Sequence, residues 1–485
     1  MAIKRYYATK DNTITNAFKS NLQTRGVSGN MGQSDILEVF SIYAQVSSSG
    51  DGLSSELSRV LIEFDTTTIN TDRTNGVLPA SGNVNFFLRM FDAEHTQTTP
   101  KNYSLVVSAI SQSWSEGLGL DMEEYADEDA SNWLSASDGF EWIEHGGASV
   151  AGGSYITGTD FDPGSTTEYL FTQAFDTGFE NLDLDVSHLI EDWIKGPDNG
   201  GITNYGFGVR LTSSNETEEN SYYTKMFFGR GSEFFHKLPV IEARWDDSKK
   251  DSRGDFFLSS SLVPASDNLM NLYLYNVVKG QLTDIPGITT IGDPIYVSIF
   301  SGNLSNTAPT GSNPINLTNG KLPLPLGGGV VENGRFEITG SKIETGIYSC
   351  SFSYNSASIT TIFDVWSSGS NEYHTGSAIS VTKFSTQDYN FDQKYISKVT
   401  NLRSSYNKGE KVRFRLYARQ KDWSPTIYTV ASSDIETSII DNAYYRFTRV
   451  SDNLDVIPFG TGSLNHTRLS YDASGSYFDL EMNLF

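Results

Sequence analysis

The sequence predicts an all-β protein made of sandwich modules in series. Three observations predict it. Aromatic and β-branched residues recur in short runs, the composition that suits a pleated, half-buried surface. Turn dipeptides ending in Gly separate these runs, with Gly supplying the positive φ of a primed hairpin turn. Clear helical punctuation is confined to one short segment.

In chain order, the strand-like runs are RVLIEF (59–64), VNFFLRMF (84–91), YGFGVRL (205–211), PIYVSIF (294–300), KVRFRLYA (411–418) and YYRFTRV (444–450). Hairpin turns are expected at Asp51-Gly52, Asn75-Gly76, Asp138-Gly139, Asn199-Gly200, Asn319-Gly320 and Asn333-Gly334. One short helix is expected where Ser187 can cap, Leu189, Ile190, Trp193 and Ile194 share a face, and Gly196-Pro197 stops the run.

At 485 residues the chain is long enough for roughly two to four domains. The stretch DDSKKDSRGD (246–255) has no apolar residue and reads as a linker or exposed loop. A second break is read near FSTQDYNFDQ (384–393). These breaks predict modules at 1–250, 256–383 and 384–485.

Composition narrows the function. Hydrophobic residues make up 38% and charged residues 19%, an ordinary globular balance. With 35 basic and 59 acidic residues the formal charge is −24, which disfavours a nucleic-acid partner because phosphate neutralisation needs clustered cations. No run approaches the ~20 apolar residues of a membrane span, and the amino terminus has no apolar leader core, so neither membrane insertion nor secretion is expected. Cys350 is the single cysteine, so no disulfide can form within the chain. It sits in strand-like IYSCSFSY and reads as a small core residue.

The sequence carries none of the common catalytic motifs. The six histidines show no metal-ligand spacing, and there is no HExxH, GxSxG or phosphate-binding glycine loop. The chain is therefore expected not to be an enzyme and to need no cofactor. The acidic run DMEEYADEDA (121–130) offers Asp121, Glu123, Asp127 and Asp129 as candidate Ca²⁺ ligands, against the commoner fate of a charge run without EF-hand spacing, a solvated loop. Trp133 and Trp142, which follow it, are candidate platforms for stacking on a sugar ring, against the commoner fate of core residues.

Within KVRFRLYA, Lys411, Arg413 and Arg415 alternate with Val412, Phe414 and Leu416. A strand would place the cations on one face and the apolar trio on the other. With Arg419 they make a candidate protein-docking face, or else a solvated face that discourages edge pairing. Residues 384–485 carry 12 basic and 12 acidic side chains, whereas residues 1–250 carry 17 and 37. The neutral end would dock and the acidic end would project.

Residues 1–245 resemble the DNRLRE-type domain, a jelly-roll β-sandwich related to carbohydrate-binding modules. The resemblance rests on four segments: NMGQSDILEVF (30–40), RVLIEFD (59–65), LDVSHLIEDWIKGPDNGGITNYGFGVRL (184–211) and FFGRGSEFFHKLPVIEARW (227–245). At Arg230-Gly231-Ser232-Glu233 the arginine and the acid are not adjacent, a departure from the family pattern. GRFEITGSKIETGIYSCSFSY (334–354) is similar to an immunoglobulin-like sandwich, and residues 384–485 read as another small one. The resemblance thus implies a jelly roll followed by two immunoglobulin-like β-sandwiches. The opening KRYYATKDNTITNAF is also similar to structural proteins of marine tailed phages. It implies a virion component of the capsid-decoration, collar, neck or tail-fibre type, assembled in the host cytoplasm. Its expected partners are other virion proteins, in a homo-oligomer or many symmetric copies. The alternative expectation is a glycan-binding adhesion module that meets a cell-surface glycan.

Overall fold

A computed structural model describes residues 2–48, 52–95, 100–122, 127, 129–144, 147–156, 169–219, 223–305, 308–310, 330–332, 335–354, 358–383, 394–421, 423, 437–460 and 466–484. The described chain is all-β, as predicted, with many strands and three short α-helices. It divides into two compact units, one of residues 2–246 and one that takes nearly all the described residues from Asp247 onward.

In the first unit the elements are β1 (Ile3–Thr15), β2 (Ile36–Ser48), β3 (Gly52–Phe64), α1 (Thr66–Thr74), β4 (Asn85–Met90), β5 (Tyr103–Ile110), β6 (Ser135–Ser137), β7 (Phe140–Ile143), β8 (Ser149–Val150), β9 (Tyr155–Ile156), β10 (Leu170–Phe175), β11 (Leu182–Asp185), α2 (Ser187–Lys195), β12 (Phe207–Leu211), β13 (Tyr223–Phe228) and β14 (Val240–Arg244). The main path of strands runs β10-β5-β12-β3-β1-β14-β4-β11, all antiparallel, and β2 joins β13 to β3. β1 is the hinge of the sandwich. Its first residues pair with β14, its later ones with β3, and the register shifts between Ala8 and Lys10.

Alternation builds the core. Phe86, Leu88 and Met90 of β4 meet Val60, Ile62 and Phe64 of β3 and Leu105, Val107 and Ala109 of β5 in one cluster. Each of these side chains larger than alanine contributes about 1.5–3 kcal/mol relative to exposure. On the opposite face of β3, Leu61 joins a second cluster with Trp114, Trp133 and Trp142. A strand buried on both faces carries consecutive apolar residues, here Val60, Leu61 and Ile62, which is why RVLIEF stands out in the sequence.

The helices depart from expectation at several points. Leu189, Ile190 and Trp193 of α2 are buried as expected, and Gly196 ends the helix at φ +68°. However, Val186 holds the N-cap position, and the Ser187 hydroxyl accepts from the Phe86 N–H at 2.8 Å instead, tying the helix to β4. α1 had no expected counterpart. Asp65 caps it, and Asn75-Gly76 ends it rather than turning a hairpin. Asn199-Gly200 likewise closes a 3-10 turn after α2. Asp138-Gly139 does join β6 to β7. Asp51, Asn319-Gly320 and Asn333-Gly334 lie outside the described residues, as does the break at 384–393.

The second unit holds a nine-stranded sheet and a four-stranded sheet. In the larger, Pro294–Ser301 pairs with Arg335–Glu344 and Thr361–Ser368, and Ile347–Phe352 pairs with Met270–Tyr275. Its core includes Ile295, Val297, Tyr348, Phe352 and Trp366, with Cys350 among them. In the smaller, Lys411–Gln420 lies between Tyr395–Val399 and Gly475–Glu481. Of the run 444–450, only Phe447–Arg449 is a strand.

The stretch 246–255 is not an exposed loop. Asp251 and Ser252 are buried, and Arg253 forms ion pairs with Asp251 and with the fully buried Asp364. The segment has no apolar residue because its polar groups are bonded into the second unit.

Candidate functional site

A cleft of about 310 Å³ opens within the second unit, with Lys249, Glu344, Lys411, Arg413, Tyr445 and Asp479 among its lining residues. The strand Lys411–Gln420 builds one wall. Its alternation is as the sequence predicts at the first four positions: Lys411 and Arg413 are exposed while Val412 and Phe414 are buried. Leu416 is only half-buried.

The ladder sets Arg413 opposite Asp479 and Arg415 opposite Tyr477. Arg413 donates to both Asp479 oxygens, at 2.8 and 2.9 Å, and its guanidinium lies 4.1 Å from the Tyr477 ring centre. Arg415 lies 4.8 Å from the same ring and donates to Asp472 at 2.7 Å. Burial opposes ionisation of Asp479, yet the bond from Arg413 and the nearby Lys411 hold its carboxyl below the usual carboxylate range. Across the cleft Lys249 donates to Glu344 at 2.9 Å, and Tyr445 stacks on Phe478 with ring centres 4.3 Å apart. Two of the carboxylates that line the cleft are thus already bonded to cations.

Lys411 and Arg413 therefore line the cleft together. Arg415 turns to Asp472, and Arg419 donates to the Gln420 carbonyl at 3.3 Å beside Trp423. The partners Asp479 and Glu344 were not foreseen, because strand pairing brings them in from distant positions.

Trp133 and Trp142 are core residues rather than open platforms. Their exposures are 7% and 0%, the Trp142 indole N–H donates to the Asn132 carbonyl at 2.9 Å, and the Arg59 guanidinium lies 5.3 Å from the Trp133 ring centre. Neither presents a free face to a sugar ring. Of the candidate calcium ligands, Glu123 lies outside the described residues. Asp127 accepts from the Leu118 N–H at 2.9 Å, Asp121 makes an isolated bridge to Asn30, and the Asp129 carbonyl accepts from Asp138. Among the described residues no three His, Cys, Asp or Glu are grouped to hold a metal ion.

Among the charged clusters of the first unit that local sequence does not reveal, two involve strongly buried acids. Glu242 of β14 is fully buried and bonded by Arg5, Arg89 and Arg244, and Arg244 also holds Asp183. Burial alone would raise its carboxyl, but the three guanidinia outweigh this and hold it well below the usual range. At the other cluster, Arg230 pairs with Glu116, at 2.8 Å to each oxygen, rather than with the nearby Glu233. Asp11, fully buried, accepts from the Arg230 backbone N–H, and its second oxygen has no partner. Burial pushes the Asp11 carboxyl up to about 7, aided by Glu116 and opposed by Arg230.

No protein-family model matches the chain, and a search of curated proteins finds no significant match. Among the described residues no helix is long and apolar enough to cross a membrane.

Proposed function

We propose that this chain is a non-enzymatic structural component of a tailed-phage virion, of the capsid-decoration, collar, neck or tail-fibre type. The observation that carries the structural part is that charges, both in the buried core and in the cleft, are bonded to one another. Glu242 is bonded by Arg5, Arg89 and Arg244 inside the sandwich, and Arg413 is bonded to Asp479 in the cleft. Charges committed to one another serve rigidity and specific packing, whereas a catalytic site keeps at least one group poised for a substrate. The phage setting rests on the likeness of residues 4–18 to virion structural proteins. On this reading many copies occupy symmetric positions, and the partners are other virion proteins. Docking uses the part of the cationic face that the ladder leaves available, chiefly Lys411.

Quantitative mass spectrometry of purified particles tests the proposal. The chain is expected in many copies per particle, at a fixed ratio to the major capsid protein. Its absence from purified particles, or turnover of a polysaccharide by the purified protein, would overturn it.

A further inference from the structure

Lys225, on β13, is 1% exposed. Its ammonium lies 5.3 Å from the ring centres of both Phe175 and Phe227, donates to the Gly178 carbonyl at 2.9 Å, and contacts a carboxylate oxygen of Asp92. Asp92 follows β4 and bridges to Phe227, while the Ala93 N–H bonds the Met226 carbonyl at 3.0 Å. On that antiparallel register Lys225 and Asp92 are diagonal neighbours on one face, within reach of each other across the strands.

Burial shifts both groups toward their neutral forms. Burial lowers the pKa of Lys225 against the opposing effect of Asp92, and burial raises that of Asp92 against the effect of Lys225. A desolvated amine among apolar side chains is a nucleophile, and a protonated carboxyl is its acceptor. His95, whose Nδ1 is buried without a partner among the described residues, acts electrostatically on Asp92 and Glu38, while Glu180 acts on Lys225 and Glu94 on Asp92.

We propose that Lys225 and Asp92 condense to an isopeptide bond that joins β13 covalently to the segment after β4. Nζ of the neutral amine attacks Cγ of the protonated carboxyl. The new N–C bond forms, the C–OH bond breaks, and a proton from nitrogen leaves with that hydroxyl as one water. The reaction needs no oxidant and no co-reactant, and fixed contact in a dry site supplies the effective concentration. A second buried lysine shows what is required. Lys342 donates to Asp284 at 2.9 Å, but that carboxyl is a quarter exposed. At Asp284 burial is outweighed by bonds from Lys342 and the Gly346 N–H, which hold the carboxyl ionised, and that pair stays ionic. A chain with one cysteine has no internal disulfide, and this bond would supply a covalent staple of another kind.

Intact-mass measurement of the denatured full-length protein decides the matter independently of its biological role. The protein is expected to be lighter than its sequence by one water, and digestion is expected to yield a branched peptide joining Lys225 to Asp92. Lys225→Arg and Asp92→Ala are expected at their full sequence masses. Asp92→Asn, if it reacts, loses ammonia and reaches the same mass as the cross-linked native protein. A native protein at full sequence mass after prolonged incubation in its folded state would overturn the proposal. So would the same water loss in Lys225→Arg.

Discussion

Arg413 and Asp479 face each other across the ladder between Lys411–Gln420 and Gly475–Glu481, joined by two bonds over the ring of Tyr477. The geometry is bidentate, but the Arg413 side chain is 42% exposed, so solvent discounts the pair. Arg413→Ala is expected to cost about 1 kcal/mol or less. The charge-swapped double variant Arg413→Asp with Asp479→Arg is expected to recover part of the loss that either single change causes. A thermodynamic cycle by urea denaturation measures this, and strict additivity would show that the two residues do not interact.

Glu242 should behave differently, because its partners cannot regain water. Glu242→Gln removes the carboxylate that Arg5, Arg89 and Arg244 share in the interior, and of the three Arg244 keeps Asp183 as a second acid. It is expected to destabilise the first unit by about 3–5 kcal/mol. Denaturant titration followed by a probe in that unit checks the value, and a loss under about 1 kcal/mol would mark Glu242 as an ordinary surface acid.

Asp11 gives a pH dependence with a definite sign. Its folded-state pKa of about 7 lies above the ordinary aspartate value of 3.8, so folding favours the protonated form. Its contribution is fully present below pH 3.8 and is lost as pH rises through about 7. Relative to Asp11→Asn, the native protein should lose stability across that window, by up to about 1.4 kcal/mol per pH unit. Stability curves of the two proteins that run parallel from acid to neutral pH would contradict this.

Trp142 tests the fate of the aromatic pair. It is fully buried, with its indole N–H bonded to Asn132. Trp142→Ala is expected to cost about 3–5 kcal/mol of stability. A variant that keeps native thermal stability yet loses signal on a glycan array would restore the platform reading.

Much of the all-β fold was legible because burial writes itself into composition. β3 is packed on both faces and reads RVLIEF, and Val412 and Phe414 announce their core face by alternation. α1 was not legible: its TTTINTDRT has no apolar stripe, and only Ile69 is buried, so the Asp65 cap is its one local sign. An Asn-Gly pair can end a helix as well as turn a hairpin, since both need a left-handed glycine; Gly76 has φ +72°. The charged stretch 246–255 misled for another reason. Arg253 finds Asp364, 111 residues away, and Arg230 reaches Asp11 over 219. Such long-range pairs leave no periodic mark in a single sequence, and so the cleft's partners Glu344 and Asp479 stayed hidden too.

The most direct test of a structural role in a virion is a cryo-electron microscopy reconstruction of the purified particle. The account predicts density for this all-β chain at symmetry-related positions, with the Lys411 face turned toward a neighbouring protein. A reconstruction in which every protein is assigned and none is this chain would contradict it.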